Sequence, residues 1–360
     1  MKKKNENKEN NVFKKSLISS LLFIFLVIVV FYFIFKENNY KEVQKILFDA
    51  KKGFLLIAIL CMSSFSLCEA FILRTSLKTL GNKISFRDAY KYAISGFFVA
   101  SITPSATGGD PMQLYLMTKD NIKVSHGALT LLVKLLGFQF TSLFFAFIGF
   151  LFSHKLYLSS LGNLKYLAFL GIFLNILVFT LYFLIIFFKP VILFLVELVA
   201  NLLKNLHIKK TDDIKENLLK QVEEYSNAAG YLKQNKQIFF KVFGFTVIEI
   251  LLYYSIPYFV YLSLGFSKAS IFTFLSLQSV LYVSVSSLPF PGAVGVSEVA
   301  FMRVYKTMFP SEVLGSAMVI TRFINFYIFV LYAGIMMVFF VLKDNLKLER
   351  GRNGYFKRNS

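Results

Sequence analysis

Seven apolar stretches in this chain are long enough to cross a lipid bilayer. They are Leu17–Phe35, Gly53–Leu73, Ala128–Phe152, Tyr166–Phe188, Ile238–Leu262, Ala269–Leu288 and Glu312–Leu342. A helix needs about 20 residues to cross a hydrocarbon core roughly 30 Å thick. Inside that core only helices and closed barrels satisfy the backbone polar groups. The apolar share of the chain, 56%, is well above that of a soluble domain, so the stretches predict an all-α integral membrane protein.

The cationic side chains, which give the chain a net charge of +20, gather in the two tails and between the apolar stretches. Cytoplasmic loops and segments beside anionic lipids have this distribution, whereas a nucleic-acid-binding protein carries its charge on a soluble domain. We therefore expect membrane phospholipids as partners and no directly bound nucleic acid.

The polar segments divide the chain into five parts. They are a basic cytoplasmic tail (1–16), a first membrane half (17–188), a cytoplasmic amphipathic helical insertion (189–236), a second membrane half (237–342) and a basic tail (343–360). The apolar residues of one helix in the insertion recur at helical spacing: Ile214, Leu218, Val222, Tyr225 and Ala229. The insertion could dock a soluble partner, and a homo-oligomer is equally open.

Two segments rich in helix breakers, 101–117 and 286–309, interrupt the membrane halves. Proline removes a backbone donor and glycine permits unusual φ angles, so neither segment forms a plain helix. Such backbone survives at membrane depth only where protein or a water-filled cavity covers it. One broken segment in each half is typical of a transporter substrate site near the bilayer midplane.

The two segments resemble each other. Pro104-x3-Gly108-x-Asp110 aligns with Pro291-x3-Gly295-x2-Glu298. This weak match predicts two structural repeats. If the repeats have inverted topology, their broken helices would meet within the membrane.

The number of crossings raises a conflict. With a cytoplasmic N-terminus, seven spans would place the basic tail 343–360 outside, whereas its charge favours the inside. The sequence therefore predicts about seven to eight transmembrane helices plus two broken or re-entrant segments. We expect one broken segment to cross fully, and the sequence leaves open which one.

A helix beginning just after the glycine of each aligned segment would point free N–H groups at an anion such as a lipid phosphate. Ser105, Thr107 and Ser297 could add donors. For Asp110 and Glu298 two interpretations stay open: acids satisfied by the first helical turn, or partners of a cation.

Arginine is scarce, and four precede the C-terminal tail. A guanidinium binds phosphate in a bidentate manner, which makes Arg303 and Arg322 candidate headgroup ligands. For Arg322 the alternative is a side chain that extends to the membrane surface.

Further charges lie inside apolar stretches. Lys134 should face the bundle interior, with Glu249 as its candidate partner in an intramembrane ion pair that could be structural or functional. Glu69 lies near Arg74 and is expected to help seat the following loop. Two cysteines in one apolar stretch and three scattered histidines do not form a metal-ligand set, so we expect no metal and no cofactor.

Three stretches resemble the lysylphosphatidylglycerol synthase transmembrane-region family, also called the flippase-like domain family. They are Ser-Ile-Thr-Pro-Ser-Ala-Thr-Gly-Gly-Asp-Pro-Met-Gln-Leu-Tyr (101–115), Leu-Pro-Phe-Pro-Gly-Ala-Val-Gly-Val-Ser-Glu (288–298) and Thr-Arg-Phe-Ile-Asn-Phe-Tyr (321–327). The resemblance covers about residues 15–342 and implies a helical bundle that binds or moves phospholipids. It departs from the family at Lys134, where many members have polar or acidic residues.

The candidate substrate-binding residues combine these segments with the last helix. They are Ser101, Pro104, Ser105, Thr107, Gly108, Gly109, Asp110, Gln113, Pro291, Gly292, Gly295, Ser297, Glu298, Arg303, Arg322 and Tyr327.

The favoured function is binding and translocation of anionic or aminoacylated phosphatidylglycerol-type lipids in a bacterial plasma membrane. One alternative is a phosphatidylglycerol lysyltransferase, or its membrane component, which uses lysyl-tRNA. Aminoacylating members of the family carry a large soluble C-terminal domain, and this sequence ends eighteen residues after its last apolar stretch. We therefore expect no lysyl transfer by this chain alone. The other alternative is a membrane scaffold that docks a soluble partner through 189–236.

Overall fold

A computed structural model gives the architecture. It describes residues 40–103, 106–161, 165–205, 211–286, 288, 293, 295–340 and 343. The predicted span Leu17–Phe35 and both charged tails lie outside the described residues, except for Lys343.

The described part of the chain is helical and confirms the predicted all-α membrane protein. Its helices are α1 (Tyr40–Asp49), α2 (Lys52–Thr79), α3 (Phe86–Ile102), α4 (Gly109–Lys119), α5 (Val124–Leu161), α6 (Lys165–Phe187), α7 (Lys189–Asn205), α8 (Thr211–Gln234), α9 (Gln237–Ser263), α10 (Ile271–Val285), α11 (Val296–Val304) and α12 (Ser311–Phe340).

Helices α2 and α9 pack against each other from end to end in antiparallel orientation. At one end the Lys51 backbone N–H donates to the Ser263 carbonyl (2.8 Å). At the other, the rings of Phe71 and Phe245 stack with centroids 5.4 Å apart. This pair brings the two membrane halves together.

The first broken segment is a re-entrant hairpin, because α4 runs back along α3. A Cβ added to Gly109 would lie 2.9 Å from both the Gly96 carbonyl oxygen and the Ala100 Cβ, so the hairpin arms meet closely near the turn. At the open end Lys91 Nζ lies 2.8 Å from Asp120 Oδ2. The segment therefore does not cross the bundle.

The second broken segment, which contains α11, also turns back, along the preceding helix α10. Just after α11, the Tyr305 hydroxyl donates to Gln278 Oε1 (2.9 Å), and its ring lies 5.3 Å from that of Phe274 near the start of α10. Helix α10 has 15 residues, which is too few to cross the hydrocarbon core. The stretch Ala269–Leu288, predicted as a full span, is one arm of a hairpin.

Both segments are thus re-entrant, and the expectation that one of them crosses fully is not met. Five described helices, α2, α5, α6, α9 and α12, have the length and composition of membrane spans. Together with the span predicted for Leu17–Phe35, the number of crossings would be even. An even number would agree with the charge of the basic tail, and the number of crossings stays a prediction.

The two membrane halves contain the same succession of elements: long helix, re-entrant hairpin, long helix. Helices α2–α5 form the first unit and α9–α12 the second. Because α2 and α9 are antiparallel, the units are inverted relative to each other. The hairpins therefore enter the bundle from opposite faces, as an inverted repeat requires.

Local turn geometry repeats as well. After α2 the Asn82 N–H donates to the Leu77 carbonyl, and after α9 the Phe266 N–H donates to the Tyr261 carbonyl. Both turns place a glycine in the left-handed region, Gly81 at φ +79° and Gly265 at φ +86°, where a side chain would be strained.

The hairpin tips share a feature that is unusual for alanine. Ala106 and Ala293, each two residues after the aligned prolines, adopt φ angles of +56° and +52°. Left-handed backbone costs about 1–2 kcal/mol for a residue with a Cβ. The same strained conformation at matched positions supports a genuine repeat.

The insertion consists of α7 and α8, and α8 packs against the start of α5. The predicted apolar face of α8 is confirmed at Val222, Tyr225 and Ala229, which are buried. Its Glu224 lies 3.2 Å from the Ser125 hydroxyl. Helix α7 leaves Phe194 and Leu198 exposed, a pattern typical of a helix lying on a membrane surface.

Helix α6 covers the second hairpin through a close contact. The Asn175 amide nitrogen donates to the Val283 carbonyl (2.7 Å), and a Cβ on Gly171 would overlap the Ser284 carbonyl oxygen. Gly171→Ala should therefore destabilise the protein by about 1–3 kcal/mol through overpacking, measured as a lower unfolding temperature in detergent.

The matched control is Gly244→Ala. Gly244 also lies inside a long helix, but a Cβ there meets open space. This change should leave stability unchanged or raise it by up to about 1 kcal/mol, because alanine is the better helix former. Equal effects of the two changes would contradict the proposed α6–hairpin packing.

Candidate functional site

A cavity of about 170 Å³ lies where the two hairpins meet. Residues of both broken segments, of α9 and of α12 surround it. They are Ala106, Tyr253, Gln278, Leu281, Tyr282, Val285, Ser286, Ala293, Ser297, Phe301, Thr321, Arg322, Asn325 and Phe326. The two strained alanines therefore line one cavity, one from each hairpin tip.

Arg322 and Glu298 form an ion pair at the wall of the cavity. Arg322 Nε lies 2.7 Å from Glu298 Oε1, and Arg322 is 7% exposed. The other oxygen, Glu298 Oε2, accepts the Gly295 backbone N–H at the start of α11 (2.6 Å). Glu298 is thus both a first-turn acid and the partner of a cation, which unites the two interpretations left open by the sequence.

A π-helical turn over Phe323–Tyr327 follows Arg322 directly. The Arg322 guanidinium carbon lies 4.7 Å from the ring centre of Phe326 and 5.8 Å from that of Tyr327. Cation–π contacts of this kind hold a guanidinium in a partly apolar site, and π-helical turns are frequent at functional sites. Arg322 is therefore positioned at the cavity and does not extend to the membrane surface.

Lys134 is the centre of a second buried cluster. Its ammonium lies 2.8 Å from Asp110 Oδ1, 3.0 Å from Glu69 Oε1 and 3.0 Å from Gln113 Oε1. Gln113 in turn donates to Glu69 (2.7 Å). The network joins α2, α4 and α5.

This network corrects two expectations. Lys134 does not form the predicted ion pair with Glu249; it pairs with Glu69 and Asp110. Glu69 binds Lys134 and Gln113 and does not seat the loop near Arg74. The physical reason is the antiparallel α2–α9 packing, which places Glu69 toward α5.

The two clusters occupy equivalent places in the inverted repeat. In each unit, the acid in the first turn of the returning arm pairs with a cation 24 residues later, on the next long helix. The pairs are Asp110–Lys134 and Glu298–Arg322. The repeat is therefore present in the ion pairs of the side chains as well as in the backbone geometry.

The surroundings of the two pairs differ. Glu69 and Gln113 contact Lys134 directly. The corresponding residues of the second unit are Tyr253, which precedes Gly265 by the same distance in sequence as Glu69 precedes Gly81, and Phe301, which follows Glu298 as Gln113 follows Asp110. Both are aromatic walls of the cavity. The second pair is therefore the one that faces space for a ligand.

Comparison with known proteins agrees with this architecture. The family described as "Lysylphosphatidylglycerol synthase TM region" matches residues 17–333. The chain belongs to this family. The match spans both inverted units and both hairpins.

Curated relatives of this family member are archaeal membrane proteins. A UPF0104 membrane protein of Archaeoglobus fulgidus is 22% identical over 314 residues, which cover 86% of this chain and 94% of that protein. A UPF0104 membrane protein of Pyrococcus horikoshii is 24% identical over 311 residues, covering 82% and 89%. Their names state membrane location and no activity.

The structure separates the predicted site residues of this family member into groups. Ser297 and Arg322 line the cavity, and Gly295, Glu298 and Tyr327 lie beside them, with the Tyr327 hydroxyl 3.5 Å from Glu298 Oε1. Asp110 and Gln113 belong to the Lys134 cluster.

Of the other predicted residues, those that the structure describes do not line the cavity. The Ser101 hydroxyl donates to the Phe97 carbonyl (2.7 Å), the Gly108 N–H donates to Thr103 Oγ1 (3.0 Å), and Gly109 packs on α3. Thr107 and Arg303 are exposed. Pro104, Ser105, Pro291 and Gly292 lie outside the described residues.

Several cavity residues escaped the sequence reasoning. Gln278 and Asn325 are buried polar side chains within apolar helices, a signal that could have identified them. Asn325 Oδ1 is buried and accepts no hydrogen bond from the residues that the structure describes. A buried acceptor of this kind calls for an explanation, and a ligand donor in the cavity would supply one.

Removing the Lys134 charge should be strongly destabilising. Lys134→Met leaves Glu69 and Asp110 without their cation, and breaking a buried pair in this way costs about 3–5 kcal/mol. Adding Asp110→Asn should recover part of this loss, because one fewer carboxylate then lacks a partner. Unfolding temperature in detergent measures both effects.

Lys241→Met is the control for this series. Lys241 is exposed at the start of α9, so its loss should change the unfolding temperature little. A Lys134→Met protein as stable as Lys241→Met would show that the cluster does not hold the first hairpin.

Proposed function

We propose that the protein binds phospholipid headgroups in the cavity between the two hairpins and passes the lipids between the leaflets of a bacterial plasma membrane. The observation that carries this proposal is the position of Arg322, a buried guanidinium that lines a cavity formed jointly by both re-entrant hairpins. Membership of a membrane-domain family named after a lipid synthase supports the choice of a lipid ligand.

The chemistry of the lining suits a phospholipid head. A guanidinium binds phosphate oxygens in fork geometry, and Asn325 Oδ1 offers an acceptor for a hydroxyl or ammonium group. Glu298 adds a carboxylate next to Arg322. Phosphate and a donor on the same head are features of phosphatidylglycerol and of its aminoacylated forms.

The size of the cavity also fits a lipid. At about 170 Å³ it is smaller than the pockets that enclose whole drug-sized ligands, roughly 300–1,000 Å³. A phospholipid needs polar surroundings only for its head, since the acyl chains can stay in the bilayer. The cavity therefore needs to accommodate the head alone.

Arg322→Ala tests the proposal in proteoliposomes that contain fluorescently labelled phosphatidylglycerol. Loss of a charged hydrogen-bond partner, worth about 1.5–3 kcal/mol, should slow leaflet transfer by at least about 10-fold. Accessibility of the label to a membrane-impermeant quencher reports the transfer. Arg322→Lys keeps the charge but loses the fork and should fall between Arg322→Ala and the unmodified protein.

The matched control is Arg87→Ala, because Arg87 is exposed at the open end of the first hairpin. It should transfer lipid at the unmodified rate. Asp110→Asn tests the first cluster, and it should also reduce transfer, since it loosens the first hairpin tip from Lys134. Folded Arg322→Ala protein that transfers lipid at the unmodified rate would overturn the proposal.

A further inference from the structure

Gln278 is a polar side chain in the middle of α10, among buried apolar neighbours such as Leu277 and Leu281. It is 6% exposed and lines the cavity. A buried amide is costly unless both of its ends find partners. Its oxygen Oε1 accepts the Tyr305 hydroxyl (2.9 Å), whereas its nitrogen Nε2 bonds to no residue that the structure describes.

Tyr305 determines which end of this amide is left for the cavity. It is fully buried, and its hydroxyl makes this one hydrogen bond with the residues that the structure describes. If the amide were turned round, the hydroxyl would accept an N–H, and its own proton would be buried without an acceptor. The oxygen of Gln278 is therefore held toward Tyr305, and the two N–H groups remain for a ligand.

The inverted repeat shows that joining the hairpin arms does not require these N–H groups. Lys91 precedes Ala106 by the same number of residues as Gln278 precedes Ala293. Lys91 joins the arms of the first hairpin through its pair with Asp120, and Gln278 joins those of the second through its oxygen alone. The unused donors of Gln278 therefore belong to the cavity, which only the second pair faces.

We propose that Gln278 determines which phospholipid heads the cavity accepts, because its N–H groups bind an acceptor oxygen that the head carries in addition to its phosphate. This proposal rests on the lipid binding proposed above and narrows the class of lipid to those with a polyol head. Glycerol is the smallest such head and supplies the oxygen as a hydroxyl. An ammonium group has no lone pair to offer to an N–H.

Two helices would then hold the two ends of the head. Arg322 on α12 binds the phosphate, and Gln278 on α10 binds the hydroxyl, so the orientation of the head is fixed. A site that forms a hydrogen bond with a ligand hydroxyl rejects the analogue without it, because the buried groups of the site are then left unpaired. Gln278 thus contributes selection, whereas Arg322 contributes attraction to any phosphate.

Competition between two labelled lipids in proteoliposomes tests this selection. Phosphatidylglycerol and phosphatidylethanol have the same charge and the same phosphodiester, but phosphatidylethanol has no hydroxyl on its head. With the label on an acyl chain, the unmodified protein should transfer phosphatidylglycerol about 3–10-fold faster, the effect of one hydrogen bond. Accessibility of the label to a membrane-impermeant quencher reports both rates.

Gln278→Glu should abolish this preference, since it removes both donors. It keeps an oxygen for the Tyr305 hydroxyl, so the protein should fold, and its added charge acts on both lipids alike. The control Gln221→Glu, at an exposed position of α8, should keep the preference.

Tyr305→Phe tests the positioning role of the hydroxyl. Without it the amide can turn, and the preference should fall only in part, whereas the exposed control Tyr231→Phe should keep it. Adding Gln278→Met to Tyr305→Phe should abolish the preference without adding charge. The double variant should remain folded, because both partners of the buried hydrogen bond are then apolar.

The outcomes separate this proposal from the proposed function. Equal transfer of the two lipids by the unmodified protein would overturn the selection and leave lipid transfer standing. A preference that survives in Gln278→Glu or in the double variant would do the same. An unmodified protein that moves neither lipid would refute the proposed function and the selection with it.

Discussion

The architecture depends on two ion pairs, each of which ties the tip of a re-entrant hairpin to the next long helix. A hairpin that stops inside a membrane protein has little apolar surface to hold it and exposes the start of its second arm. Asp110 with Lys134, and Glu298 with Arg322, attach these helix starts to α5 and α12. A pair shielded from water is costly to break even where it adds little net stability, so each hairpin is restrained at its tip.

The inverted repeat gives the two pairs equivalent positions and different surroundings. In the first unit, glutamate and glutamine side chains fill the space around the cation. In the second, aromatic walls leave a cavity beside it. One architecture thus supports a closed ionic network and an open ligand site. We assign the open site to lipid heads and the closed network to the anchoring of the first hairpin, and both assignments follow from which partners surround each cation.

Hydropathy and breaker residues predicted the membrane class, the position of both broken segments and the apolar face of α8. They also selected Arg322, Asp110 and Glu298, which the structure places in two ion pairs. They could not distinguish a hairpin arm from a span, because Ala269–Leu288 is apolar in either role. The partners of Lys134 also escaped prediction. They depend on which face of α2 meets α5, and this is set by the α2–α9 contact between residues far apart in the chain. Tyr253 was missed for the same reason, since it becomes a cavity residue only when helices from both halves meet. Gln278 and Asn325 were missed although each is a polar residue within an apolar helix.

The antiparallel relation of the two units has one more consequence, which concerns how the molecule could face either leaflet. Two units of the same architecture but opposite orientation can exchange conformations, so that each hairpin adopts the conformation that the other had. Such an exchange would turn an opening toward one leaflet into an opening toward the opposite leaflet without any change of fold. Because the two ion pairs have different surroundings, the two orientations would then differ in free energy.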